Sequence, residues 1–186
     1  MKYYCLPEND NEKRFALGIK GKRNLLCIAL NPNTANAEKL DGTTRNLERI
    51  ARDNGYDGWL MTNLYPTRNP KGNNLLNEAD EKLFWENIQS IDTLVSSKEL
   101  NIKDVLLGWG DDIKAKPYFS PSIYAIYDRL NKHGLNYYAF RVNQSGNPSH
   151  PSPMTINTKY KSDEKIKLTE FDFHSYAKQF KPMNFQ

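Results

Sequence analysis

The segment from Asn24 to Leu30 reads Asn-Leu-Leu-Cys-Ile-Ala-Leu and stops at Asn31-Pro32. An apolar run with no polar alternation fits a strand buried on both faces, and a residue without an N–H ends it. Three more such segments follow: Gly58 to Leu64, Val105 to Trp109 and Tyr137 to Val142. Amphipathic stretches lie between them. Thr43 or Thr44 is an N-cap candidate for a helix that buries Leu47, Ile50 and Ala51 and ends at Asn54-Gly55. Asn77, with Asp80 three residues on, opens a second helix; its Leu83, Phe84, Asn87, Ile88, Ile91 and Val95 fall at helical spacing. Pro121 to His133 forms a third, with Gly134 just past its end. Strands alternating with helices predict an α/β three-layer sandwich: a central, mainly parallel four-stranded sheet with helices on both faces. The expected organisation is a single domain over 1–186, with its core at about 24–155. A basic C-terminal extension covers about 156–186 and is helical from about Thr169.

A chain of 186 residues, 38% hydrophobic and 12% aromatic, has the size and composition of one globular domain. No apolar run approaches the length of a membrane span, and the N-terminus lacks the apolar core of a signal peptide. Two cysteines form no disulfide framework, so the expected setting is the reduced cytoplasm. A formal charge of +4 permits a nucleic-acid partner without requiring one.

In open α/β sheets, ligands bind outside the carboxyl ends of the strands. The residues found there are Asn31 to Thr34, Asn63 to Tyr65, Gly110 to Asp112, and Asn143 to Pro153. No phosphate loop, dinucleotide fingerprint or nucleophile elbow is present, and no metal or cofactor is expected; Asp111-Asp112 reads as a turn or helix cap. What remains is amide and imidazole chemistry. Asn31 either orients a water or closes an Asx turn. Asn63 offers a donor and an acceptor side by side, as the edge of a nucleobase requires, or else bonds loop backbone. His150, between prolines in a stiff loop, either donates to an anionic leaving group or is an exposed loop histidine. Ser149 and Ser152 are phosphate candidates, as are Arg68, Lys71 and Arg141. Tyr65, Tyr118 and Phe119 are stacking candidates.

Leu30-Asn31-Pro32-Asn33-Thr34-Ala35-Asn36-Ala37, Asp41-Gly42-Thr43-Thr44-Arg45 and Asn63-Leu64-Tyr65, with Trp109-Gly110 and the stretch Gly146 to Pro151, resemble the bacterial domain of unknown function 1643 family. The likeness runs from about Leu26 to Pro153. The same landmarks, in the same order, are similar to the uracil-DNA glycosylase superfamily. Ala29 to Asn33 resembles its first motif, and Thr62-Asn63-Leu64 through Arg68-Asn69-Pro70 resembles its T-N-x-x-x-x-R-x-P stretch. Leu107 to Gly110 resembles its L-L-W-G strand, and His150-Pro151-Ser152-Pro153 matches its H-P-S-P motif, followed by Met154.

That resemblance implies a DNA N-glycosylase that flips a damaged or modified base. Asn31 would position water, Asn33 and Asn63 would border the base, and His150 would stabilise the departing base anion. Ser152 would hold a phosphate and Met154 would wedge into the duplex. Asn31 stands where the most active branch has Asp, and an amide cannot act as a general base at neutral pH. Its role is then to orient water against a sugar that already resembles an oxocarbenium ion. The alternatives are a non-catalytic nucleotide or nucleic-acid binding module on the same fold, or an enzyme acting on free nucleosides or nucleotides.

Overall fold

The computed structural model describes residues 2–70 and 74–185. Seven strands form its sheet: β1 (Tyr4–Leu6), β2 (Ala16–Ile19), β3 (Asn24–Ala29), β4 (Gly58–Asn63), β5 (Ile102–Gly108), β6 (Asn136–Ala139) and β7 (Thr169–Glu170). Their order is β1-β2-β4-β3-β5-β6-β7. The four central strands pair in parallel, while β1, β2 and β7 add antiparallel edges. The expected four-stranded sheet is therefore corrected to seven. The three additional strands have only two to four residues each, too few to show a period. The chain from Thr169 begins as strand β7 rather than helix.

The helices are α1 (Gly42–Asp53), α2 (Glu81–Ser96), α3 (Phe119–Leu130), α4 (Pro153–Lys159) and α5 (Phe173–Ala177). The cap of α1 is Asp41, not a threonine. Its carboxylate accepts from Thr44 N while Thr44 Oγ1 accepts from Asp41 N, each at 2.9 Å, a reciprocal pair that satisfies two helix-end donors. Asp80 caps α2. Alternation along β3 explains its apolar run. Leu26 and Ile28 pack with α2, α3 and α5 on one face, and Leu25, Cys27 and Ala29 pack with α1 and α4 on the other. Both faces are covered, so neither set of positions can be polar.

The connection from β3 to β4 runs through α1 on one face, and that from β4 to β5 runs through α2 on the other. Strand order thus reverses around β3, which opens a crevice at its carboxyl end. Ala29 is in register with both Asn63 and Gly108, so the three strand ends are level there. None of the described helices is long and apolar enough to cross a membrane.

Candidate functional site

The crevice is a cavity of about 640 Å³. Asn31 and Asn33, just past β3, border it, as does Asn63 at the tip of β4. Beyond β5 come Trp109, Gly110 and the acidic pair Asp111-Asp112. His150, Ser152 and Met154 close the far wall at the start of α4, and Asp41 and Thr43 stand at the start of α1.

His150 owes its place to a pinned hairpin. Val142 bridges Pro148 in antiparallel fashion. Asn143 N donates to Asn147 O at 2.9 Å, and Gly146 turns the chain at φ +85°. Ser149 N donates to Arg141 O at 2.8 Å, and Gly110 N donates to Pro148 O at 2.9 Å. Asn147 Nδ2 ties the hairpin to Asp111 at 2.9 Å. Pro151 is held on the other side, its carbonyl accepting from Asn46 Nδ2 at 3.0 Å. The imidazole is partly buried. Desolvation pushes its pKa down to about 4, against the pull of Asp112 and Asp41. At neutral pH it is therefore an uncharged ring whose N–H is a donor.

Asn63 is buried, and its two amide atoms have different fates. Oδ1 accepts from Arg14 Nη2 at 3.4 Å, whereas Nδ2 has no partner among the described residues. The carboxamide therefore presents only its donor half, not the side-by-side donor and acceptor expected from the sequence. Asn31 is partly buried and turns Nδ2 onto the carbonyl of Pro32 at 3.2 Å, while its Oδ1 has no partner among the described residues. Asn33 is exposed, and its carbonyl accepts from Arg68 at 2.9 Å. Ser152 caps α4, accepting from Thr155 N at 3.2 Å. Met154 stands on the rim, an apolar side chain 78% exposed.

Other residues singled out from the sequence do not reach the cleft. Tyr65 is buried: its ring lies 4.4 Å from that of Tyr118, and its hydroxyl accepts from Asp80 N at 2.9 Å, which props the start of α2. Tyr118 and Phe119 are buried with it. Arg68 is buried and turns Nε and Nη1 onto the carbonyls of Asp10, Asn33 and Ala35, clamping two loops together. Ser149 is buried and donates to Asn143 Oδ1. Arg141 is exposed, and Lys71 lies outside the described residues.

Sequence reasoning missed Arg14. It is 1% exposed, borders the cleft, and donates to Ala35 O at 2.9 Å. Burial, and then the charge of Arg68, pushes its pKa down to about 10, so it stays a cation at neutral pH. Its neighbours Lys13 and Phe15 carry no pattern that announces this; only the long-range pairing of β2 with β4 brings it beneath Asn63. Asp41 was missed as well: with the cap of α1 assigned to Thr43 or Thr44, nothing in the sequence placed its carboxylate at the cleft.

The family model described as protein of unknown function (DUF1643) matches residues 14–152. No curated protein matches the chain, and no solved structure does.

Proposed function

The chain belongs to the DUF1643 family of proteins of unknown function, and we propose that it is a DNA N-glycosylase-like hydrolase whose cleft takes an extruded base. The observation that carries this reading is the convergence of Asn31, Asn63 and His150 on one cavity at the strand-order reversal. On this reading the fold is a variant of the uracil-DNA glycosylase-like sandwich, and the protein is cytoplasmic, in keeping with its two free, buried thiols.

The chemistry follows from the state of each side chain. A ring carbonyl of the base accepts from Asn63 Nδ2, the free half of that amide. As the bond between C1′ and the ring nitrogen lengthens, charge collects on the base. The neutral imidazole of His150 donates a hydrogen bond to that oxyanion. A preorganised donor of this kind is worth about 3–4 kcal/mol in the transition state. The sugar becomes oxocarbenium-like, and Asn31 Oδ1 holds the water that attacks C1′. The water's hydroxyl goes to C1′ and its proton to the departed base, leaving a free base and an abasic sugar. Met154 on the rim is the apolar wedge that fills the gap in the stack.

The test incubates the protein with duplex and single-stranded oligonucleotides carrying uracil, hypoxanthine, xanthine or a hypermodified base, followed by alkali. Strand scission is expected with one of these, slowed about 100-fold or more by His150→Ala and by Asn31→Ala. Scission that survives both substitutions, or none with any base, removes the enzyme claim. A non-catalytic nucleotide or nucleic-acid module is the second reading, favoured by the engagement of Asn31 Nδ2 with Pro32. It predicts salt-sensitive binding without scission.

A further inference from the structure

Arg14 and Arg68 converge beneath the cleft. Arg14 Nη1 and Arg68 Nη1 both donate to the single carbonyl of Ala35, at 2.9 and 2.8 Å. Neither guanidinium has an ion-pair partner among the described residues. Arginine cannot shed its proton to escape burial, so the fold holds charge in a poorly solvated place without a carboxylate to neutralise it. Asp41 is the acid whose charge Arg14 feels, but its carboxylate is occupied in capping α1. Arg68 gives Nε and Nη1 to three carbonyls. Arg14 Nε–H has no partner among the described residues, and neither does Nδ2 of Asn63, whose Oδ1 accepts from Arg14 Nη2. Two buried donors without partners among the described residues, one on a cation, therefore belong to neighbouring side chains that both border the cavity.

We propose that Arg14 and Asn63 form an oxyanion subsite at the floor of the cleft, which receives a negatively charged oxygen carried by the ligand. The mouth is opposite in sign, with Asp111 and Asp112 exposed there, so the cleft orients a ligand with its anionic end inward. Two sources share this chemistry: the phosphate of a mononucleotide, and a carboxylate or ionised ring oxygen on the base itself. The subsite requires that the cavity bind a ligand, and it does not require that the ligand be cleaved.

The experiment measures thermal shifts and calorimetric binding with five probes: inorganic phosphate, a nucleoside 5′-monophosphate against its nucleoside, and uracil-6-carboxylate against uracil. The charged member of at least one pair is expected to bind about 10-fold or more tightly than its neutral counterpart. Which pair responds identifies the source. Arg14→Gln is expected to abolish the preference. Because that substitution disturbs a buried cation, Asn63→Asp is the second variant. It is nearly isosteric and puts a carboxylate where Oδ1 already meets Arg14, so it is expected to raise the melting temperature and remove anion binding together. Equal binding of charged and neutral probes overturns the proposal. So does an anion preference that persists in Asn63→Asp, or a fall in that variant's melting temperature. Loss of base excision with retained anion binding refutes only the glycosylase reading, whereas excision without anion preference refutes only the subsite.

Discussion

Replacing Gly110 with alanine tests how the end of β5 and the His150 loop fit together. Gly110 has φ +75° and ψ −162°, a backbone region open in practice only to glycine. That alone costs a side-chain-bearing residue about 1–3 kcal/mol. An added Cβ would also sit 3.1 Å from His150 Cβ and 3.6 Å from His150 N. His150 has little room to withdraw, because the bonds to Pro148, Ser149 and Pro151 fix the loop on both sides. Crowding in a packed site adds about 1 kcal/mol or more, and the reduced freedom of the unfolded chain returns about 0.4–1 kcal/mol. The net expected loss is about 2–3 kcal/mol, or a melting temperature lower by roughly 4–12 °C for a chain of this size. Urea denaturation with an unchanged slope reads it. Gly134→Ala is the control: Gly134 also has positive φ, at +61°, but nothing lies within 4 Å of its Cβ position. If Gly110→Ala costs no more than Gly134→Ala, the close seating of the His150 loop on β5 is refuted.

Tyr65→Phe removes the hydroxyl that meets Asp80 N. It is expected to lose about 1 kcal/mol of stability while base release is unchanged; a selective loss of activity would return Tyr65 to the site. The pKa of His150 is near 4 in the folded chain and near 6.5 when unfolded, so the unfolded state binds the extra proton between those values. Stability therefore rises with pH from 4 to 6.5 and has lost this contribution entirely below 4. The full effect is up to about 3 kcal/mol, and His150→Gln is expected to flatten the melting-temperature profile in that window. A profile that does not change shows that the imidazole titrates normally.

The parallel core of the sheet was legible because its strands are covered on both faces, so burial is written as continuous apolar runs such as Leu25 to Ala29. The edges were not. In β2, Gly18 exists because a Cβ would strike Trp59 O at 2.0 Å, a constraint set by a strand some forty positions away. The site divides in the same manner. Asn31, Asn63 and His150 stood out because they follow strands, and position relative to a strand end is a local property. Arg14 did not, since its burial and its lack of a counter-ion arise only when β2 is laid against β4. Tyr65 also follows a strand, yet its ring turns toward Tyr118 rather than the cleft, a choice made by the packing of α2 and α3. Arg68 is likewise claimed by carbonyls of loops that sequence proximity does not predict.

On the glycosylase reading a nucleobase sits between Asn31 and His150. Nitrogen NMR of ring-labelled histidine, recorded as the free bases are titrated in, reads that contact directly. One base is expected to shift the His150 ring signals while the pattern of a neutral imidazole persists, with His133 and His174 unmoved. Silence at His150 with every base, or shifts of the same size in all three rings, would contradict it.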